Sequence, residues 1–237
     1  MFGPLTQILG RLPFSHQVAQ QYENLSSRRT TRRAGQSWLD TARRNRADNG
    51  LWHSANDQWF QGNEKLFAEF VAHVRDRSSL EIGSGPMGYL APCYWMRRRV
   101  VIDPLIDKYR AYQLRRFGET IWTPDIETHA CAAETVIPQL CGAIDGSIVS
   151  RNALDHTDDP LSVLEAISRY AAAGCYLLIW TDIWHVDGPT IGHRNITRSV
   201  ELMDKLLAGL GFTIIQRGAA IRDPKHFIEY GRISRKL

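Results

Sequence analysis

From Ser79 onward, short apolar segments alternate with helix-spaced ones, and this rhythm constrains the fold more than any other feature of the chain. Ser79–Ile82, Arg99–Ile102, Ser147–Ser150 and Cys175–Trp180 read as strands, several of them near-continuous apolar runs. Such runs suit strands buried on both faces, as in a parallel sheet covered by helices. Helices predicted over Gly88–Arg97, Ile106–Phe117, Leu161–Ala172 and Thr197–Gly209 supply the crossovers that parallel neighbours require. Asp158-Asp159-Pro160 marks one helix start, because a first-turn proline needs no amide partner and acids favour the positive helix end. Thr120–Thr123 is a weaker strand. Phe212–Gln216 and His226–Ile233 have no helix between them and are expected to pair antiparallel across the Gly218–Lys225 loop. The predicted class is α/β, a doubly wound, mostly parallel seven-stranded sheet with an antiparallel last strand.

A helix over Asn63–Arg77 precedes this unit, its apolar residues recurring at three- and four-residue steps. Before it, Ser15–Leu25 and Ser37–Arg46 have helical character, so residues 1–60 are expected to form a helical cap or lid and residues 61–237 the sheet domain. With 237 residues the chain can bury a sizeable core without disulfides or a structural metal. Cys93, Cys131, Cys141 and Cys175 form no C-x-x-C pair and read as small hydrophobes in a reducing cytosol. No apolar stretch approaches the roughly 20 residues that cross a bilayer. Met1–Pro13 has no basic region of the kind that opens a secretory signal, so a cytoplasmic protein is expected.

Charge is uneven. Residues 1–50 hold eight arginines and three acids, while the remainder carries 21 basic and 22 acidic residues. The basic segment could meet an anionic acceptor, an anionic lipid surface or a nucleic acid. A solvated helical face is the plainer reading, and only Tyr22 and Trp38 interleave the arginines, which argues against a single-strand nucleic-acid binder.

The chemistry starts at the turn after the first strand, Gly83-Ser84-Gly85-Pro86-Met87-Gly88. A glycine-rich strand-to-helix turn lets the backbone approach a ligand closely. Gly83, Gly85 and Gly88 match G-x-G-x-x-G, and Asp103 ends the next strand 20 residues after Gly83, where a carboxylate can accept ribose hydroxyls. That pattern fits any nucleoside-containing cofactor. Glu81 stands two residues before the first glycine, where it would repel a pyrophosphate and suits an ammonium and a sulfonium instead.

These residues resemble the class I S-adenosylmethionine (SAM)-dependent methyltransferases. The resemblance rests on Leu80–Gly88, on Val101-Ile102-Asp103-Pro104, and on Asp145–His156 running on to Asp159-Pro160, and it covers about residues 64–237. It implies a Rossmann-like fold and SAM as cofactor, with S-adenosylhomocysteine as product. It implies that Gly83, Ser84, Gly85 and Gly88 cradle the methionine part, with Glu81 organising the loop and the ammonium. Asp103, beside Pro104, would hold the ribose. Ala133 and Glu134 would meet the adenine, although many relatives carry an Asp where Ala132 stands. Asn152 would line the floor beside the transferring methyl. Residues 1–60 would be a lid in which Tyr22, Trp38, Trp52 and Trp59 help choose the acceptor, an oxygen or less readily a nitrogen of a small molecule or saccharide.

A sulfonium is a good leaving group, so catalysis is mostly in-line positioning plus a base when the acceptor is a hydroxyl. Candidate bases are His156, Asp155, His185 and His193. His185, Asp187 and His193 have an H-x-D-x5-H spacing that could hold a divalent metal, but it matches no standard site and reads better as a polar loop rim. Trp180 and Trp184 could wall the acceptor or simply fill the core. Two other functions share the glycine turn. One is an NAD-dependent oxidoreductase, against which stand Glu81 and the lack of a Tyr-x-x-x-Lys dyad. The other is a non-catalytic methyltransferase-like subunit using the arginine-rich segment.

Overall fold

The structure, a computed structural model, describes residues 59–86, 88–185, 193–218 and 227–237. The two short helices expected before residue 50, the arginine cluster, Tyr22, Trp38 and Trp52 lie outside these residues.

The elements run α1 (Glu64–Val74), β1 (Ser78–Ile82), β2 (Arg98–Ile102), α2 (Ile106–Phe117), β3 (Ile126–His129), β4 (Ser147–Arg151), α3 (Pro160–Tyr170), β5 (Tyr176–His185), α4 (Val200–Gly209), β6 (Phe212–Arg217) and β7 (Phe227–Lys236). They form one seven-stranded sheet in the order β3-β2-β1-β4-β5-β7-β6. The first five strands in this order pair in parallel, and β7 runs antiparallel between β5 and β6. The chain therefore reverses its winding between β1 and β4, the place where open α/β sheets bind ligands beyond their strand ends.

Residues of the central strands feed separate cores on the two faces of the sheet. Leu80, Ile82, Ile148, Leu177 and Ile179 pack towards α3 and α4. Val149, Tyr176, Leu178 and Trp180 pack the other way, against Leu66, Phe70 and Val74 of α1. Trp59 and Phe60 belong to this second core. Trp59 is fully buried and donates its indole N–H to the Ile179 carbonyl at 3.1 Å. Trp59 is thus a core residue and not part of an acceptor-choosing lid. Trp180 is buried as well, edge-on to Trp59.

The helix expected over Gly88–Arg97 is absent, and this segment is a run of turns. Pro92 is the reason: it lacks an amide, clashes with the carbonyl four residues back, and pushes Ala91 out of the helical region. The third strand lies at Ile126–His129, not at Thr120–Thr123. Side-chain oxygens hold Thr120–Thr123 as a loop. Gln113 Oε1 accepts from Thr120 Oγ1 at 2.7 Å and from Ile121 N, and Thr120 Oγ1 accepts from Trp122 N.

Gly88 has φ +43°, and a Cβ there would lie 2.2 Å from Cη2 of the buried Trp122. The third glycine of the G-x-G-x-x-G pattern is thus required by packing. Gly88→Ala should destabilise the fold by about 1–3 kcal/mol, the usual cost of overpacking, when measured by urea unfolding. A wild-type midpoint in this variant would mean that Trp122 moves aside freely.

Candidate active site

A cavity of about 280 Å³ opens beyond the C-terminal ends of β1, β2, β3 and β4. Its walls are the turn Gly83–Gly85, Asp103 to Leu105 after β2, Ala132 to Glu134 beyond β3, and Arg151 to Ala153 with His156 at β4. Nine of the sequence-nominated residues therefore meet at one place: Gly83, Ser84, Gly85, Asp103, Pro104, Ala133, Glu134, Asn152 and His156. Tyr109, Arg151, Ala153 and Thr157 also line it without having been nominated. Arg151 stood inside the quoted β4 motif, and Tyr109 lies in the first turn of α2, just after Asp103-Pro104, which were the signals available for them.

Two buried carboxylates hold the turns around the cavity. Asp103 Oδ2 accepts from Gly85 N at 2.9 Å and Ser84 Oγ at 3.3 Å, while Oδ1 accepts from Leu105 N at 2.8 Å. Asp103 thus ties the β1 turn to the β2 turn. Glu81 accepts from Tyr89 N at 2.8 Å and Leu90 N at 2.9 Å, the amides left over where the expected helix fails to form. Glu81 does not line the cavity, and its contact is with the loop.

Close approach explains the first glycine. Gly83 has φ +68°, and a Cβ there would lie 2.2 Å from the Ala153 Cβ on the β4 turn. Asn152 has φ +49°, an uncommon conformation for a non-glycine residue, and its N–H donates to the Trp180 carbonyl at 2.5 Å. Glu134 lines the cavity while its carboxylate accepts from Asp158 N and Asp159 N at 2.8 and 3.2 Å.

At one edge of the cavity lies a second group. Asp155 and His156 sit in a short 3₁₀ turn after β4. The Asp155 side chain is fully buried; its Oδ1 accepts from Thr181 Oγ1 at 2.9 Å, and its Oδ2 accepts from His193 Nδ1 at 2.7 Å. His156 Nε2 stands 3.9 Å from the same Oδ2, and the two imidazole centroids are 4.2 Å apart. The main chain pins this arrangement, because Arg194 N donates to the Asp155 carbonyl at 2.6 Å. Three of the four candidate bases therefore converge. The fourth, His185, ends β5, and Asp187 lies outside the described residues. Thr181, which orients Asp155, was not anticipated.

No protein-family model and no curated protein matches the chain. Solved structures do. The chain resembles the 1,6-didemethyltoxoflavin-N1-methyltransferase of Burkholderia thailandensis, solved with 1,6-didemethyltoxoflavin and S-adenosylhomocysteine bound. The identity is 18% and the TM-score 0.56, over 100% of this chain and 93% of that one. It resembles the 4+2 cyclase SpnF at 14% identity and TM-score 0.56, over 94% and 96% of the two chains. It also resembles the trans-methyltransferase CalH, solved with S-adenosylhomocysteine, at 17% identity and TM-score 0.50; the match takes in 71% of this chain and about half, 53%, of CalH. The protein has the fold of the class I SAM-dependent methyltransferases. No helix among the described residues is long and apolar enough to cross a membrane.

Burial pushes the Glu81 carboxyl up to about 7 from its ordinary 4.5, with the neighbouring Asp103 charge adding and the amide hydrogen bonds opposing. The folded chain then holds a proton that the unfolded chain releases. Stability is highest below the unfolded value and should fall by up to roughly 3 kcal/mol as pH rises through the folded one. Glu81→Gln should remove that slope in urea titrations of the ligand-free protein; an unchanged slope would assign it to another group.

Proposed function

We propose that the protein transfers the methyl group of SAM to an oxygen, or less readily a nitrogen, of a small molecule or saccharide. The observation that carries this reading is the junction of Gly85 N with Asp103 Oδ2 at 2.9 Å, on the wall of a cavity at the sheet's switch point. It gives a backbone cradle and a sugar-accepting carboxylate side by side. The fold supports the reading, and so do two neighbours solved with S-adenosylhomocysteine. SpnF, described as a 4+2 cyclase, has the same fold, so the reaction rests on the site and not on the architecture.

SAM supplies a methyl group already activated on a sulfonium. The chain's part is to bind and aim. Gly83 and Gly85 offer backbone to the methionine portion, Asp103 accepts from the ribose, and Ala133 and Glu134 border the adenine. Asn152, at the end of β4, borders the reacting methyl. A new C–O bond forms as the C–S bond breaks, the bonding pair going to sulfur, and the acceptor's proton passes to solvent beside the Asp155–His156–His193 group. Arg151 on the wall favours an acceptor with an anionic substituent, and the basic segment before residue 50 supports the same preference.

Calorimetric titration with SAM, S-adenosylhomocysteine and NAD tests the cofactor. Micromolar binding of the first two and none of the third is expected. Binding of NAD alone would replace this function with an oxidoreductase, and silence from all three would leave a non-catalytic subunit. Asp103→Ala should weaken SAM binding by about 1.5–3 kcal/mol, the scale of a hydrogen bond to a charged group. His193→Ala should lower kcat while leaving the SAM dissociation constant near its wild-type value, since His193 does not line the cofactor cavity.

A further inference from the structure

The group at the cavity edge is a better metal site than the H-x-D-x5-H spacing that first suggested one. One carboxylate oxygen and two imidazole nitrogens, from Asp155, His156 and His193, all lie within 4.8 Å of one another. Donors bound to one ion at about 2.0–2.2 Å stand roughly 3–3.5 Å apart. The present separations of 2.7 and 3.9 Å from Asp155 Oδ2 bracket that spacing. We propose that these three side chains bind a divalent transition-metal ion at the edge of the cofactor cavity and that the ion holds the acceptor's hydroxyl for methylation. The second half of this proposal rests on the methyl-transfer reading; the first half does not.

The donor set selects the class of ion. Two imidazoles and one carboxylate suit zinc, cobalt, manganese or ferrous iron, whereas magnesium and calcium favour all-oxygen shells. The surroundings are those of an oriented ligand. Asp155 is fully buried, and Thr181 Oγ1 donates to Oδ1, which leaves Oδ2 turned towards both imidazoles. A carboxylate ligand fixed by a hydroxyl in this way is the usual second layer of a metal centre. The Arg194 N–H to the Asp155 carbonyl holds the His193 segment against the 3₁₀ turn. The donors thus come from two places far apart in sequence, and backbone and side-chain bonds both fix their meeting point.

Three protein ligands leave coordination positions open, the arrangement of a catalytic and not a structural site. His156 lines the cofactor cavity, so an open position on its side faces the space where an acceptor must approach the methyl. A hydroxyl bound to a divalent cation loses its proton far more readily than a free one. In balance, the acceptor hydroxyl gives its proton to solvent and its oxygen to the methyl, SAM becomes S-adenosylhomocysteine, and the ion keeps its charge throughout.

The test uses the full chain without a histidine tag, stripped with EDTA. Cobalt titration should give a visible d–d band that saturates at one ion per chain, and zinc should bind in calorimetry while magnesium does not. His193→Ala and His156→Ala should each abolish the band, and Thr181→Val should weaken binding by about 10–100-fold, the range for an outer-layer partner. A circular-dichroism melt shows that each variant is folded, and the two partly exposed histidines keep the test open if Asp155→Asn does not fold. No cobalt band, or a band that survives both histidine variants, overturns the site. Turnover unchanged in EDTA overturns the acceptor-holding role and leaves His193, oriented by Asp155, as a general base. Failure to bind SAM, measured separately on the metal-loaded chain, would sink the methyl-transfer reading while leaving the ion in place.

Discussion

The site depends on what happens to the amide groups after β1. A strand that ran into a regular helix would satisfy most of its N–H groups internally, but Pro92 prevents that helix here. Two buried carboxylates answer the amides instead, Glu81 those of Tyr89 and Leu90, Asp103 those of Gly85 and Leu105. Burying them is costly unless such bonds are made. The consequence is a turn held from both ends, with Gly83 pressed against Ala153 across the switch point. The cavity exists because neither turn can relax into the space between them.

The same logic places the second group. β5 pairs with β4 in parallel, with Arg151 opposite Trp180, so Thr181 lies just beyond the β4 turn. Its hydroxyl serves Asp155 twice, accepting from the Asp155 N–H at 3.3 Å and donating to the carboxylate. A buried aspartate is thereby oriented by the sheet itself and not by a mobile loop. This edge of the cavity inherits the rigidity of the central strands, the fixed geometry that in-line transfer would require.

Strands with continuous apolar runs were legible in the sequence because they are buried on both faces: β1, β2 and β4 fall within a residue of their expected bounds. Helix α2 matches its expected span, closed by Gly118 at φ +74°. What failed has local causes. The helix after Gly88 obeys its periodicity on paper but contains a proline, and the strand at Thr120–Thr123 lost to hydrogen bonds from Gln113 and Thr120 that no propensity records. The cavity wall was legible because its residues follow strand ends at regular spacing. The grouping of Asp155 and His156 with His193 was not, since sequence spacing tied His193 to His185 while tertiary packing tied it to the β4 turn. Gly88 shows the converse: it fits a ligand-binding pattern, yet its lack of a side chain serves Trp122.

Charge distinguishes the two cofactors that a G-x-G-x-x-G turn can serve. Among the described residues, the charged groups lining the cavity are Asp103 and Glu134 against Arg151. A pyrophosphate brings two negative charges into that setting, and the Asp103 and Glu134 carboxylates would oppose it in a medium of low dielectric. A sulfonium and an ammonium meet the same carboxylates as attractions. The Tyr89 ring also takes the Arg151 guanidinium at 5.3 Å. The glycine turn alone is indifferent to its ligand; the acids around it are not, and they favour the cationic cosubstrate.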